Sequence, residues 1–194
     1  MLANIIFTKE FNFYLRAIPL ILLLAASPVG TAFSSSGVDL SGLWKLNKNE
    51  SDDTKEKIEQ SIGKRGGGRL GGGMRQKRIS ELLENVQAPE TLEIKQEESQ
   101  ITITRAGGRA RTFKADGSTQ KFQTGNGKTI EMSATRRAGQ LEFEIRPEGR
   151  SGKISEAFTL AGNGRKLNVT IRIEGERLSE PIVIHRVYDA AGNQ

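Results

Sequence analysis

The sequence predicts an all-β domain, an antiparallel up-and-down barrel of about eight to ten strands with one or two short helices near its N-terminus. Two observations support this prediction. From Thr91 onward, apolar and polar residues alternate with a period of two, which is typical of strands with one buried and one solvated face. Glycine-containing turns separate the alternating runs, and no helical period intervenes between them. A two-sheet β-sandwich is the alternative, because alternation alone does not establish that a barrel closes.

Residues 1–32 have the organisation of a signal peptide. Lys9 and Arg16 precede an apolar run over 17–26, and a proline and several small residues follow it up to Ala32. The run is shorter than the roughly 20 residues that a membrane span requires. We therefore predict cleavage after Ala32, export to the periplasm or the exterior, and no transmembrane span in the mature chain. An uncleaved N-terminal anchor is the alternative.

The mature domain is predicted to extend over 33–190, with its first short strand at Trp44. An insert over 54–89 then precedes the other strands. It contains a helix at 54–65, a flexible glycine-rich tract at 66–73 and a second short helix. The second helix is indicated by apolar residues at the i, i+3, i+4 and i+7 positions and is ended by a proline: Ile79, Leu82, Leu83 and Val86, then Pro89.

The remaining strands follow from the alternating apolar residues. These are Leu92 and Ile94; Ile101 and Ile103; Ile130, Met132 and Ala134; Leu141, Phe143 and Ile145; Phe158 and Leu160; Leu167, Val169, Ile171 and Ile173; and the run 182–188. Turns are predicted between them at 106–108, 116–117, 125–127, 138–139 and 162–164. The resulting order is an antiparallel meander with one dry face.

The composition excludes several chemistries. Cysteine is absent and His185 is the single histidine, so disulfides, thiolate sites and a histidine-rich metal site cannot form. No Gly-x-Ser-x-Gly segment presents a nucleophile. Glu142 and Glu144 share one face of a strand, but the alternation makes it the solvated face, where basic neighbours such as Arg172 would meet them. We therefore expect no enzyme, no catalytic residue, no cofactor and no metal, and we expect His185 to be packed or interfacial. A hydrolase or isomerase using these carboxylates is a weaker alternative.

Much of the positive charge lies around the glycine tract. The formal net charge is +6, and no acidic residue occurs between 64 and 78. The basic residues of this segment are Lys64, Arg65, Arg69, Arg75, Lys77 and Arg78. Such a segment can bind an anionic surface, which gives a second hypothesis: a cell-envelope interaction protein with no internal ligand. Nucleic acid is not an expected partner, because the segment has no aromatic residue to stack on bases.

The segment 42–44, Gly-Leu-Trp, with the long meander after it, resembles the Gly-x-Trp opening of lipocalin-like barrels. The resemblance implies that Trp44 closes one end of the barrel and that Arg186, late in the last strand, packs across the indole ring as a cation–π pair. The opening over 39–53, D-L-S-G-L-W-K-L-N-K-N-E-S-D-D, and the ending V-Y-D at 187–189 also resemble small secreted bacterial proteins of unknown function.

The lipocalin-like resemblance also implies a function. Our leading hypothesis is an exported binding module that holds a small apolar or amphipathic ligand inside the barrel. The candidate lining residues are Leu92, Ile94, Ile101, Ile103, Phe143, Phe158, Val169 and Ile171. The alternative is that these side chains fill the core and leave no cavity.

Overall fold

The computed structural model describes residues 38–63, 72–108, 110–123, 127–149, 151–176 and 178–192. The predicted signal peptide and its cleavage site lie outside these ranges, as do residues 125–126 of one predicted turn. Within the described ranges the elements are β1 (Gly42–Asn47), α1 (Thr54–Gly63), α2 (Gly72–Asn85), β2 (Thr91–Glu97), β3 (Gln100–Arg105), β4 (Arg111–Lys114), β5 (Asp116–Gln123), β6 (Thr129–Arg137), β7 (Gln140–Pro147), β8 (Lys153–Ala161), β9 (Lys166–Glu174) and β10 (Ile182–Ala190).

The ten strands form one antiparallel sheet that curls into a nearly closed barrel. The sheet order is β4-β3-β2-β1-β10-β9-β8-β7-β6-β5, so every strand pairs with its neighbours in the chain except β4 and β5, and β1 pairs with β10. Trp44 lies opposite Ala190 in the closing ladder. The step from β4 to β5 is the one that carries no ladder in the described sheet. This topology confirms the predicted up-and-down barrel rather than the two-sheet sandwich.

The open step lies where the sequence analysis predicts a hairpin turn at 116–117, and that prediction is wrong. Asp116 and Gly117 instead begin β5, which pairs with β6 through a register shift between Asp116 and Thr119. Gly117 has a φ of +82°, a conformation that glycine adopts without strain. Side chains bridge the gap, since the ring centroids of Phe113 on β4 and Phe122 on β5 are 5.3 Å apart.

Two of the predicted turns have the backbone that tight hairpins need. At 138–139, Ala138 and Gly139 have φ values of +47° and +80°, and this pair joins β6 to β7. At 162–164, between β8 and β9, Gly162 and Asn163 have φ values of +59° and +56°. Two successive positive φ values are the signature of the turn that matches the twist of antiparallel strands. These turns are therefore set by local sequence, as the dipeptide pattern indicates.

Helices α1 and α2 connect β1 to β2 and pack at one end of the barrel, which we call the helical end. Ile58, Ile79 and Val86 are buried there. The predicted tract at 66–73 is shorter than expected, because Gly72 and Gly73 already belong to α2; its other residues lie outside the described ranges. In the described part of the chain, no helix is long and apolar enough to cross a membrane.

The opposite end of the barrel is plugged by the segment that precedes β1. The indole Nε1 of Trp44 donates to the Leu40 carbonyl oxygen at 3.0 Å. The Leu40 amide in turn donates to Gln96 Oε1 at 2.6 Å. Val38 lies against the β6–β7 turn, where a Cβ added at Gly139 would stand 3.4 Å from its methyl group. We call this the plugged end; Trp44 and Leu40 are both buried in it.

Candidate functional site

The eight residues predicted to line a cavity all face the barrel interior and are closely packed. Their exposed fractions lie between 0 and 6 %: Leu92, Ile94, Ile101, Ile103, Phe143, Phe158, Val169 and Ile171. The ring of Phe143 meets those of Phe113 and Phe158 edge-on, at centroid distances of 5.1 and 5.4 Å, an arrangement that aromatic pairs favour. At these positions the side chains fill the core.

Inward-facing apolar side chains are less buried near the helical end. Phe122, Ile130, Ile145 and Ile154 pack against the core but are only half-buried. Cross-strand pairing places Phe122 opposite Ile130 and Ile145 opposite Ile154. All four lie close to the strand ends on the same side of the barrel as the helices, because consecutive strands run in opposite directions. We call these four residues the apolar mouth.

Two charged residues meet inside the barrel. Arg105 is on the same face of β3 as Ile103, and Glu156 is on the same face of β8 as Phe158. Arg105 Nη2 is 3.0 Å from Glu156 Oε2 and 3.4 Å from Oε1. Because β3 and β8 are not neighbours in the sheet, this ion pair crosses the interior. Glu156 is 5 % exposed, whereas the Arg105 side chain is 42 % exposed, so the arginine reaches the buried carboxylate from the solvent side.

Arg186 on β10 is a second interior cation, and it is 4 % exposed. Its guanidinium donates to the Val86 carbonyl, to the Gln87 carbonyl at 3.4 Å and to Thr54 Oγ1 at 3.3 Å. These hydrogen bonds tie β10 to the start of α1 and to the segment just after α2. The Nε atom of Arg186 is buried and has no hydrogen-bond partner among the described residues.

Tyr188, two residues further along the same face of β10, is buried beside Arg186. Burial lowers the pKa of Arg186, and the nearby Tyr188 and Glu156 oppose this shift. Burial likewise raises the pKa of Tyr188, and Arg186 opposes the rise. The four residues Arg105, Glu156, Arg186 and Tyr188 therefore interact within one interior site, which we call the polar cluster.

The cation–π pair expected between Trp44 and Arg186 is not what the structure contains. Trp44 lies opposite Ala190, and Arg186 lies four residues from Ala190, about 13 Å along the strand. The indole instead bonds to Leu40 in the plugged end, while Arg186 bonds to the helix connections. The register separates the two residues, so each serves a different end of the barrel.

The acidic residues considered for catalysis lie on the outer surface. Glu142 and Glu144 border a shallow recess of about 490 Å³ on the outside of β6 to β9. Arg146 and Lys153 hold the pKa of Glu144 below its ordinary value, although burial opposes them, the Arg146 hydrogen bond being the largest effect. Glu144 therefore meets basic neighbours, as predicted, but Arg172, the residue named as an example, pairs with Glu174 at 2.5 Å.

His185 also lies on the outer face. Its side chain is exposed, so the prediction that it is packed is wrong, and the alternative that it is interfacial stays a prediction. Outward-facing positions of β10 alternate with the buried Ile184 and Arg186, which explains the error. Across the described ranges, no group of three or more histidine, aspartate or glutamate side chains converges to hold a metal ion.

The basic residues of the glycine tract are described in part. Arg75 and Lys77 are exposed on α2 and Arg78 is half-buried. Met74 beside them is 73 % exposed. Lys64, Arg65 and Arg69 lie outside the described ranges, so the arrangement of the whole basic segment stays a prediction.

Sequence reasoning missed Arg105, Glu156 and Tyr188 as members of an interior site. The alternating pattern of the sequence already indicated that Glu156 and Arg105 face the interior. Glu156 occupies the dry-face position between Ile154 and Phe158, and Arg105 follows Ile103 at the same spacing. A charged residue at a position that should be apolar needs an interior partner.

No protein-family model matches the sequence, and no curated protein matches it. Among solved structures, the chain is similar to a secretary abundant heat soluble protein from Ramazzottius varieornatus, with a TM-score of 0.53 and 16% identity over 80% of this chain and 98% of that one. It is also similar to the REP1-NXSQ fatty acid transporter (TM-score 0.50, 18% identity, 80% and 98% coverage). A third is Caenorhabditis elegans lipid binding protein 8 (TM-score 0.50, 17% identity, 79% and 98% coverage).

None of these three proteins is named as an enzyme. At such low identity the similarity establishes the architecture alone. The chain has the barrel fold shared by lipocalins and fatty-acid-binding proteins.

Proposed function

We propose that this chain is an exported binding module for a small amphipathic ligand with an acidic head group. The head would contact the polar cluster, and the apolar tail would pack among the residues of the apolar mouth. The observation that carries the proposal is Arg186, a cation that is 4 % exposed and whose buried Nε has no hydrogen-bond partner among the described residues.

Arg186 has capacity left for an anion. Its other nitrogens donate to neutral acceptors, two backbone carbonyls and a threonine hydroxyl. The carboxylate of Glu156 is engaged by Arg105. A buried charge is costly unless it is paired, and a guanidinium favours the two oxygens of a carboxylate. An acidic ligand would supply the direct anionic partner of Arg186.

We place the apolar tail of the ligand among the residues of the apolar mouth, because their apolar side chains are only half-buried. Phe122, Ile130, Ile145 and Ile154 all face inward on the helical side of the barrel. Two of the similar solved structures are named for fatty acid or lipid ligands, which supports the same ligand class. Because the deeper core is filled, binding requires the helices and the mouth to repack, and that rearrangement lowers the apparent affinity.

Export is part of the proposal. It is supported by the basic, apolar and small-residue order of residues 1–32. The absence of cysteine is compatible with an oxidising compartment, because no thiol is at risk.

Isothermal titration of the full chain with dodecanoic acid, below its aggregation concentration, tests this function. We expect saturable binding, weakened at least about tenfold in the Arg186→Met and Tyr188→Phe variants. The matched control is Arg172→Met on the outer face, which should bind as the wild type does. Absence of saturable binding to the folded wild-type chain, or equal affinity in all three variants, would contradict the proposal.

A further inference from the structure

We propose that Glu156 sets the head-group charge that the barrel accepts, so that the ligand carries a single negative charge. This inference rests on the proposed function and narrows its ligand class. Its basis is the number of charges in the polar cluster. Arg105 and Arg186 contribute two positive charges and Glu156 contributes one negative charge, which leaves one positive charge to be neutralised.

The carboxylate of Glu156 occupies the polar cluster in the way that the anionic head group of a ligand would. The Glu156 carboxylate lies inside the barrel, 5 % exposed, and both of its oxygens lie within 3.4 Å of Arg105 Nη2. It also attracts Arg186 electrostatically. A dianionic head placed beside Arg186 would meet this carboxylate in a medium where like charges repel strongly.

The remaining interior charges do not alter this count. Arg136 also faces inward, and its Nε is likewise buried without a hydrogen-bond partner among the described residues. It lies toward the plugged end, however, where it donates to the Glu98 carbonyl at 3.1 Å and already attracts an anion, the carboxylate of Asp39. The ion pairs of Lys121 and Lys166 are on exposed side chains. Within the described residues, the polar cluster is thus the buried site that carries an excess charge.

The single excess positive charge of the polar cluster predicts that both neutral and dianionic head groups bind less well than a monoanionic one. A neutral amphiphile would leave Arg186 without an anion and should bind weakly. A dianion would exceed the available positive charge and would pay to desolvate its second charge. A monoanion balances the cluster. The same reasoning predicts that removing the charge of Glu156 moves the preference toward dianions.

The test is a head-group series on one tail: dodecan-1-ol, dodecanoic acid and dodecyl phosphate, the last measured at about pH 8 so that it is dianionic. The full chain should prefer dodecanoic acid to both of the others by at least about tenfold. In Glu156→Gln, the affinity for dodecyl phosphate relative to dodecanoic acid should rise at least about tenfold.

The double variant Arg105→Gln, Glu156→Gln separates the charge count from the identity of the residue. It restores a single excess positive charge, so the preference for dodecanoic acid should return. Arg105→Gln alone leaves no excess charge and should bind dodecan-1-ol at least as well as the acid. If Glu156→Gln fails to fold, the Arg105→Gln variant still tests whether the net charge of the polar cluster sets the head-group preference.

The outcomes distinguish this inference from the function beneath it. If no probe binds the folded wild-type chain, the proposed function fails and this inference fails with it. If dodecanoic acid binds saturably but the ranking of head groups is the same in the wild type and in every folded variant, the function stands and the role of Glu156 is overturned.

Discussion

The guanidinium of Arg105 and the carboxylate of Glu156 form an ion pair, 3.0 Å from Nη2 to Oε2, between two strands that are not neighbours in the sheet. The pair therefore joins opposite walls of the barrel through its interior. It is also asymmetric, because Glu156 is almost fully buried while Arg105 reaches solvent.

This asymmetry predicts unequal costs for removing each partner. Arg105→Gln leaves a buried carboxylate without its partner and should lower the free energy of unfolding by about 2–4 kcal/mol. Glu156→Gln leaves Arg105 free to turn to water, although it also removes the attraction of Glu156 for the buried Arg186, and should cost less, about 1–2 kcal/mol. Urea denaturation measures both. Equal losses would show that the pair is not buried on one side only.

A control for this comparison is the exposed pair of Lys121 and Glu148, which are 2.9 Å apart. Solvent screens such pairs, so Lys121→Gln should leave the unfolding midpoint unchanged within error. A large loss in this variant would mean that the outer surface, rather than the interior, carries the electrostatic stability.

Arg186 should stabilise the helical end more than the rest of the barrel. Its hydrogen bonds reach Thr54, Val86 and Gln87, so Arg186→Met should cost about 1–3 kcal/mol. Amide hydrogen exchange should accelerate in α1 and α2 more than in β6 to β8. Arg172→Met, on the outer face, should change stability by less than about 0.5 kcal/mol. Uniform acceleration through the barrel would contradict a local role for Arg186.

Asp52 should contribute stability that is lost in acid. Burial opposes its ionisation, but the hydrogen bond from the His185 amide, 2.8 Å long, and the Lys57 ammonium hold the pKa of Asp52 below its ordinary value. A lowered pKa in the folded state stabilises the fold above the pKa of the unfolded state. That contribution disappears as the pH falls through the folded-state value.

The change to test is Asp52→Asn. At neutral pH it should lower the free energy of unfolding by about 0.5–1 kcal/mol, allowing for solvent screening. The difference from wild type should shrink below about pH 4. Glu97→Gln, an exposed substitution, serves as the control and should leave stability unchanged. A difference that stays constant down to acid pH would show that Asp52 acts by packing rather than by charge.

Gly152 should be intolerant of any side chain. Its φ is +123°, and an added Cβ would lie 2.9 Å from the Glu174 carbonyl oxygen. Gly152→Ala should therefore cost about 2 kcal/mol from strain and overlap. Gly175→Ala is the matched control, because nothing lies within 4 Å of its Cβ position. Thermal unfolding of the two variants measures the difference. Equal melting temperatures would contradict the backbone conformation described for Gly152.

The alternation of apolar and polar residues predicted most of the barrel, because successive side chains of a strand point to opposite faces of the sheet and only one face is buried. Ile101 and Ile103 face inward, as their spacing indicates. The open step at β4 and β5 was not predictable in the same way. Asp116 and Gly117 have the composition of a hairpin turn, and only the register of the whole sheet shows that they belong to a strand.

The candidate site was predicted less well than the fold. Dry-face positions such as Phe143 could be identified, but alternation does not say whether they enclose a cavity or fill one. The contact between Arg105 and Glu156 joins residues 51 positions apart, and no local pattern specifies such a partner. Arg186 was identified, but its expected partner, Trp44, was wrong because the register of the closing ladder was unknown.

The most direct test of a ligand site inside the barrel is methyl NMR of the isoleucine-labelled full chain during titration with dodecanoic acid. We predict that the methyl signals of Ile130, Ile145 and Ile154 shift on binding, together with the Nε–H signal of Arg186. Signals from the plugged end should move least. Saturating shifts confined to outward-facing residues, or none at all, would contradict an interior site.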